Sequence, residues 1–124
     1  MKAEIKKLFS LDVDDLTQYI PDDPERFGLS LRLIAGPYSE PGEESFDLVV
    51  CTPRWIAENL GEEGTLIGRH HLIVDHYDYV QLRKFVEKYV NQCTGNTWHE
   101  VAEKLGRLGK WEFEDYRPYV ASPE

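Results

Sequence analysis

Apolar and polar residues alternate strictly from 27 to 33. Phe27, Leu29, Leu31 and Leu33 fall on one side, and Gly28, Ser30 and Arg32 on the other. A period of two is that of a strand with one buried face, so "FGLSLRLIAGP" predicts a half-buried strand. "YSEPGEE" follows with the turn dipeptide Pro41-Gly42, and "SFDLVVCT" returns with Phe46, Leu48 and Val50 inward; strand, Pro-Gly turn and strand predict a hairpin. Ahead of it, "AEIKKLF" (Ala3–Phe9) predicts a first strand. Between them, Pro21 and Pro24 break regular structure and predict a loop, with one helical turn around residues 14–19.

After the hairpin the period changes. "TPRWIAENLG" carries helix punctuation: Thr52 suits the N-cap, Pro53 the first helical position and Gly61 the stop, with Trp55, Ile56 and Leu60 on one stripe. "TLIGRHHLIVDHY" predicts a further strand. "DYVQLRKFVEKYVNQC" then places Leu82, Phe85, Val86, Tyr89, Val90 and Cys93 at the spacing of an amphipathic helix, opened by Asp78 with Gln81. Thr97 and Glu100 repeat the opening device for a helix running to about Leu108, ended by Gly109. "KWEFEDY" alternates Trp111 and Phe113 with acids and predicts a short closing strand; residues 118–124 are expected to be a loose tail. Strands first and helices later predict an α+β fold. Its antiparallel sheet starts from an N-terminal hairpin or meander, with two to three helices packed on one face and a short C-terminal strand. Residues 1–117 are expected to form one domain.

Composition changes the picture at one point, the distribution of charge. The chain has 124 residues and a net charge of −9. Residues 1–10 carry +2, whereas residues 11–63 hold thirteen acids against three bases, −10, and residues 64–124 carry −1. Nearly all the imbalance lies in one stretch. An anionic surface excludes nucleic acid as a partner and favours a basic protein. No long apolar run or signal-peptide core is present, so no membrane contact and a cytoplasmic location are expected. Cys51 and Cys93, with no CxxC pairing, are expected to be reduced core side chains.

Candidate chemistry is sparse. His70, His71, Asp75 and His76 invite a metal hypothesis. On a strand, however, His70 and His71 face opposite ways, and His71 and Asp75 stand about 13 Å apart, whereas zinc ligands converge within roughly 2 Å of one ion. No metal site and no cofactor are therefore expected. "DVDDL" fails the calcium-loop pattern at Leu16 and Thr17. No G-x-S-x-G is present, and Gly109-Lys110 lacks the phosphate-loop context. Nothing marks a catalytic residue. Trp55, Trp98 and Trp111 read as packing residues.

Three stretches, "ESFDLVVCTPRWIAENL", "GRHHLIV" and "TWHEVAEKLGRLGKWEFEDY", together resemble the immunity protein 8 family of bacterial polymorphic toxin systems, over roughly residues 1–117. The resemblance implies a non-enzymatic antidote whose partner is the cognate secreted toxin domain. That toxin is expected to be a basic nuclease, since nucleases grip phosphates. The acidic stretch is then the expected toxin-facing surface, with Asp12, Asp14, Asp15, Asp22, Asp23 and Glu25 as first candidates, followed by Glu43, Glu44, Glu62 and Glu63. Two alternatives stand beside it: a small metal-dependent enzyme using the His/Asp run 69–76, and an adaptor for a protein other than a toxin.

Overall fold

A computed structural model describes residues 1–115. The elements are β1 (Ala3–Phe9), β2 (Gly28–Pro37), β3 (Glu44–Cys51), α1 (Pro53–Glu58), β4 (His71–Ile73), α2 (Tyr79–Gln92), α3 (Trp98–Leu105) and β5 (Lys110–Trp111). The expected tail, 118–124, and the end of the predicted closing strand lie outside the described residues.

The alternation in β2 and β3 does what a period of two requires. Phe27, Leu29, Leu31, Leu33 and Ala35 are buried with Phe46, Leu48 and Val50 across the antiparallel register that pairs Leu31 with Leu48. Over this face lie α2, through Leu82, Val86 and Val90, and α3, through Val101, Ala102 and Leu105. Each helix opens on its expected cap: Asp78 accepts from the Gln81 N–H, and Thr97 from the Glu100 N–H. The α+β class therefore holds. The sheet has five strands in the order β1-β2-β3-β4, with β5 also on β3. It is mostly antiparallel, but β3 and β4 run parallel.

β1 carries a bulge. Ile5 pairs with Ala35 and Lys7 with Ile34, leaving Lys6 as an extra residue. The extra residue shifts the phase, so Ala3, Ile5 and Leu8 all reach the core from a strand that a strict period of two would turn outward at Leu8.

Four predicted elements are shorter than expected. α1 stops at Glu58 with Asn59 as its C-cap rather than reaching Gly61, so Leu60 lies beyond it and is exposed. The predicted strand over 65–77 contracts to His71–Ile73, because the Gly61–Thr65 turn occupies its start and His70 sits at φ 63, off the extended region. α3 ends at Leu105, with turns to Gly109, and the closing strand is reduced to Lys110–Trp111 before Glu114 turns back onto Trp111.

One tie fixes where β2 begins and α1 starts. The fully buried Thr52 hydroxyl accepts from the Phe27 N–H (3.2 Å) and the Trp55 N–H (3.4 Å), while the Thr52 N–H donates to the Phe27 carbonyl (3.1 Å). Trp55 is thereby laid flat over Gly28, on the face opposite α2 and α3. A Cβ built on Gly28 would stand 2.0 Å from the indole. We expect Gly28→Ala to cost about 1–3 kcal/mol through overpacking, read from urea unfolding. The cost should shrink in a Trp55→Ala background, where the added methyl meets no ring.

Candidate functional site

The acidic loop, residues 10–27, joins β1 to β2 and is held in place along its whole length. Where the β1 ladder ends, side chains continue it: the Ser10 hydroxyl donates to the Ser30 carbonyl, and the Ser30 N–H donates to the Asp12 carboxylate at 2.7 Å. Asp15 closes the expected helical turn, accepting from the Thr17 N–H (2.9 Å) and hydroxyl (2.6 Å). The Thr17 hydroxyl and N–H hold its carboxyl below the usual carboxylate range. Asp23 caps a second turn through the Glu25 N–H. Ion pairs tie the loop to α1, Glu25 with Arg54 and Arg26 with Glu58.

Tyr77 anchors the loop from the other side. Its hydroxyl donates to the Leu16 carbonyl, its N–H donates to the Pro24 carbonyl, and its ring meets Tyr19 and Phe27 edge-on with centroids 5.1 and 5.2 Å away. Burial, the first cause, and the neighbouring Tyr19 push its hydroxyl pKa up to about 12.

The ten acids singled out from the sequence do not form one surface. Asp12, Asp14, Asp15, Asp22, Asp23 and Glu25 gather at the end of the sheet where β2 starts. Glu43 and Glu44 lie at the far end of β2, ten residues along, which at ~3.3 Å per residue is about 30 Å away. There Glu44 accepts from the Trp111 indole N–H, and Trp111 stacks on Phe46. Glu62 and Glu63 occupy the turn after α1, between Gly61 and Gly64. All but Asp23 and Glu44 are exposed, and Asp12, Asp15, Asp23 and Glu44 each hold a backbone or indole N–H. Some of the charge thus organises the fold, and some is free to face a partner.

Sequence reasoning missed an apolar groove beside this acidic end. About 410 Å³ is lined by Phe27, Val50, Leu72 and Val74 below and by Leu82 and Phe85 of α2 at the side, with Ile73 at the β4 edge. Phe85, which the helical stripe assigned to the core, is 49% exposed there, as is Ile73 at 54%. The sequence held no signal for it, because Phe85 keeps the apolar spacing of α2 whether covered or not. Asp75, His76 and Asp78 are the titratable side chains on the rim. The hydrogen bond from His76 holds the Asp75 carboxyl below its ordinary range.

The histidines are dispersed. The His70 ring Nε2 meets the Gly106 carbonyl at 2.7 Å, His71 turns to the Gly68 and Arg69 carbonyls, and His76 pairs with Asp75. Among the described residues, no three of His, Cys, Asp and Glu converge as metal ligands. Cys51 and Cys93 are free thiols, buried, with their pKa values raised by that burial. Among the described residues, no helix is long and apolar enough to cross a membrane.

Comparison with protein families gives a match over nearly the whole chain. The family model described as Immunity protein 8 matches residues 3–116. No curated protein matches the chain, and no solved structure does.

Two expectations separate organising groups from exposed ones. Asp12→Ala, which strips the cap from Ser30, should lower stability by about 1 kcal/mol, whereas Asp14→Ala and Asp22→Ala should stay within about 0.5 kcal/mol. Urea unfolding distinguishes them. Tyr77 favours its protonated form in the fold, so its contribution is complete below pH 10 and is lost as the pH rises from 10.0 toward about 12. The urea midpoint of the parent chain should fall over that window. In Tyr77→Phe it should start lower and fall less.

Proposed function

The chain belongs to the Immunity protein 8 family, and from that premise we propose that it neutralises its cognate toxin domain by docking the acidic end built from residues 12–25 onto a basic surface of that toxin. Membership makes the chain an immunity protein of a toxin system with a toxin as its partner. The finer reading is carried by one observation: the acidic loop is fixed at many points yet leaves Asp14, Asp22 and Glu25 exposed at one end of the sheet. A fixed negative surface loses little freedom on binding, and it steers a positive partner during approach. A nuclease fits that role, because the surface that receives phosphates is positive and carboxylates can occupy the same places.

Co-expression tests the antidote role. The C-terminal toxin domain encoded beside this chain should kill cells alone and spare them when the chain is present; death in both arms would sink the reading. With the purified pair, Asp14→Asn, Asp22→Asn and Glu25→Gln combined should slow association about tenfold at low salt and flatten its salt dependence. Glu40→Gln with Glu43→Gln, at the opposite end, should leave the association rate within about twofold. Equal effects from the two ends would remove the acidic loop from the interface.

A further inference from the structure

The groove between β4 and the first turns of α2 has features that an acidic surface alone lacks. Its floor and wall are apolar, and two of its large side chains, Phe85 and Ile73, stand about half exposed, with no layer over them among the described residues. β4 is the last strand in the sheet order and pairs on one side, with β3. The Val49 N–H donates to the His70 carbonyl and the Val74 N–H to the Cys51 carbonyl. In a parallel ladder this phase turns alternate residues toward β3, so the N–H and carbonyl of Ile73 point away from the sheet. An extended chain laid there can make main-chain hydrogen bonds to the edge and drop a side chain into the groove.

The charge at the mouth indicates what kind of chain. Asp75 and Asp78 flank the groove, with His76 as the remaining titratable group on its rim. The Tyr77 N–H bond to the Pro24 carbonyl brings Asp22, Asp23 and Glu25 alongside. A segment with Lys or Arg on either side of an apolar residue is therefore matched at each position, whereas an acidic segment is repelled.

We propose that this groove receives an apolar side chain from an extended, basic segment of the toxin domain, laid along the free edge of β4. The inference rests on the reading of the chain as a toxin binder and names where the slow-dissociating contact lies. The acidic loop speeds encounter, and the groove holds the complex, as expected when exposed charge governs association and a buried apolar anchor governs dissociation.

The experiment measures both rate constants for the purified chain and the toxin domain encoded beside it. Phe85→Ala should speed dissociation at least tenfold with association within about twofold. Ile73→Ser, at an exposed edge position, should act the same way and covers the case in which Phe85→Ala folds poorly. Asp75→Lys should slow association, and Val80→Ala, exposed elsewhere on α2, should change neither rate. In methyl NMR spectra, Leu72, Ile73, Val74 and Leu82 should shift on adding the toxin. If dissociation of both Phe85→Ala and Ile73→Ser stays within twofold of the parent, the groove proposal is overturned while the acidic-end reading survives. If the parent chain fails to bind the toxin at all, the broader reading fails and takes the groove with it.

Discussion

Tyr77 grips the acidic loop at four points, and the shape of that end of the molecule depends on the grip. Residues 11–26 hold six acids against one base and bury little of their own beyond Leu16 and Pro21. Left to itself, such a segment has neither core nor charge balance. The two edge-on ring contacts and two hydrogen bonds of Tyr77 are each worth about 1 kcal/mol. Repulsion between exposed carboxylates is about 1 kcal/mol at 4 Å in water and falls with distance and salt. The anchor outweighs the repulsion, and the loop keeps one form. Because Tyr77 sits just ahead of the Asp78 cap of α2, the loop is registered to the helix and, through it, to the core.

The charge excess divides in a way that its sequence position does not show. Asp12, Asp15 and Asp23 substitute for missing backbone partners, ending a ladder or closing a turn. Glu44 does a similar job for Trp111 at the opposite end. The exposed acids stand on a backbone that these others hold in place. An interface formed there starts from an ordered surface, and binding energy is not consumed in ordering it.

Most of the fold was legible because local pattern and tertiary burial agree. β2 and β3 fall where the alternation puts them, β1 over the stretch expected for it, and α2 and α3 where apolar spacing and caps coincide. Legibility failed where a distant contact overrides local preference. The run 65–77 has strand composition, yet His70 adopts a left-handed conformation, with its ring held to the Gly106 carbonyl and its own carbonyl to the Val49 N–H. Both partners are far away in sequence. The parallel direction of β4 could have been suspected from the strand–helix–strand order around α1, since parallel neighbours need a crossover. Of the candidate site, the acids were visible as composition, but their division between two ends follows from β2 running between them. The groove stayed hidden because Phe85 fits the helical stripe whether or not anything covers it.

The bulge at Lys6 has a meaning beyond aligning Leu8 with the core. β1 is the other outer strand of the sheet, and an unbroken outer strand invites a second sheet to zip onto it. Here the start of β1 is already engaged, with Lys2 bridged to Thr94 and the Gly95 N–H donating to the Met1 carbonyl. Just beyond, the extra residue kinks the strand and puts a lysine in the kink. Two copies meeting β1 to β1 would find a broken register, with the Lys6 ammonium already held by the Glu4 carboxylate and the Glu40 carbonyl. An outer strand spoiled in this way offers a second sheet no continuous ladder to extend.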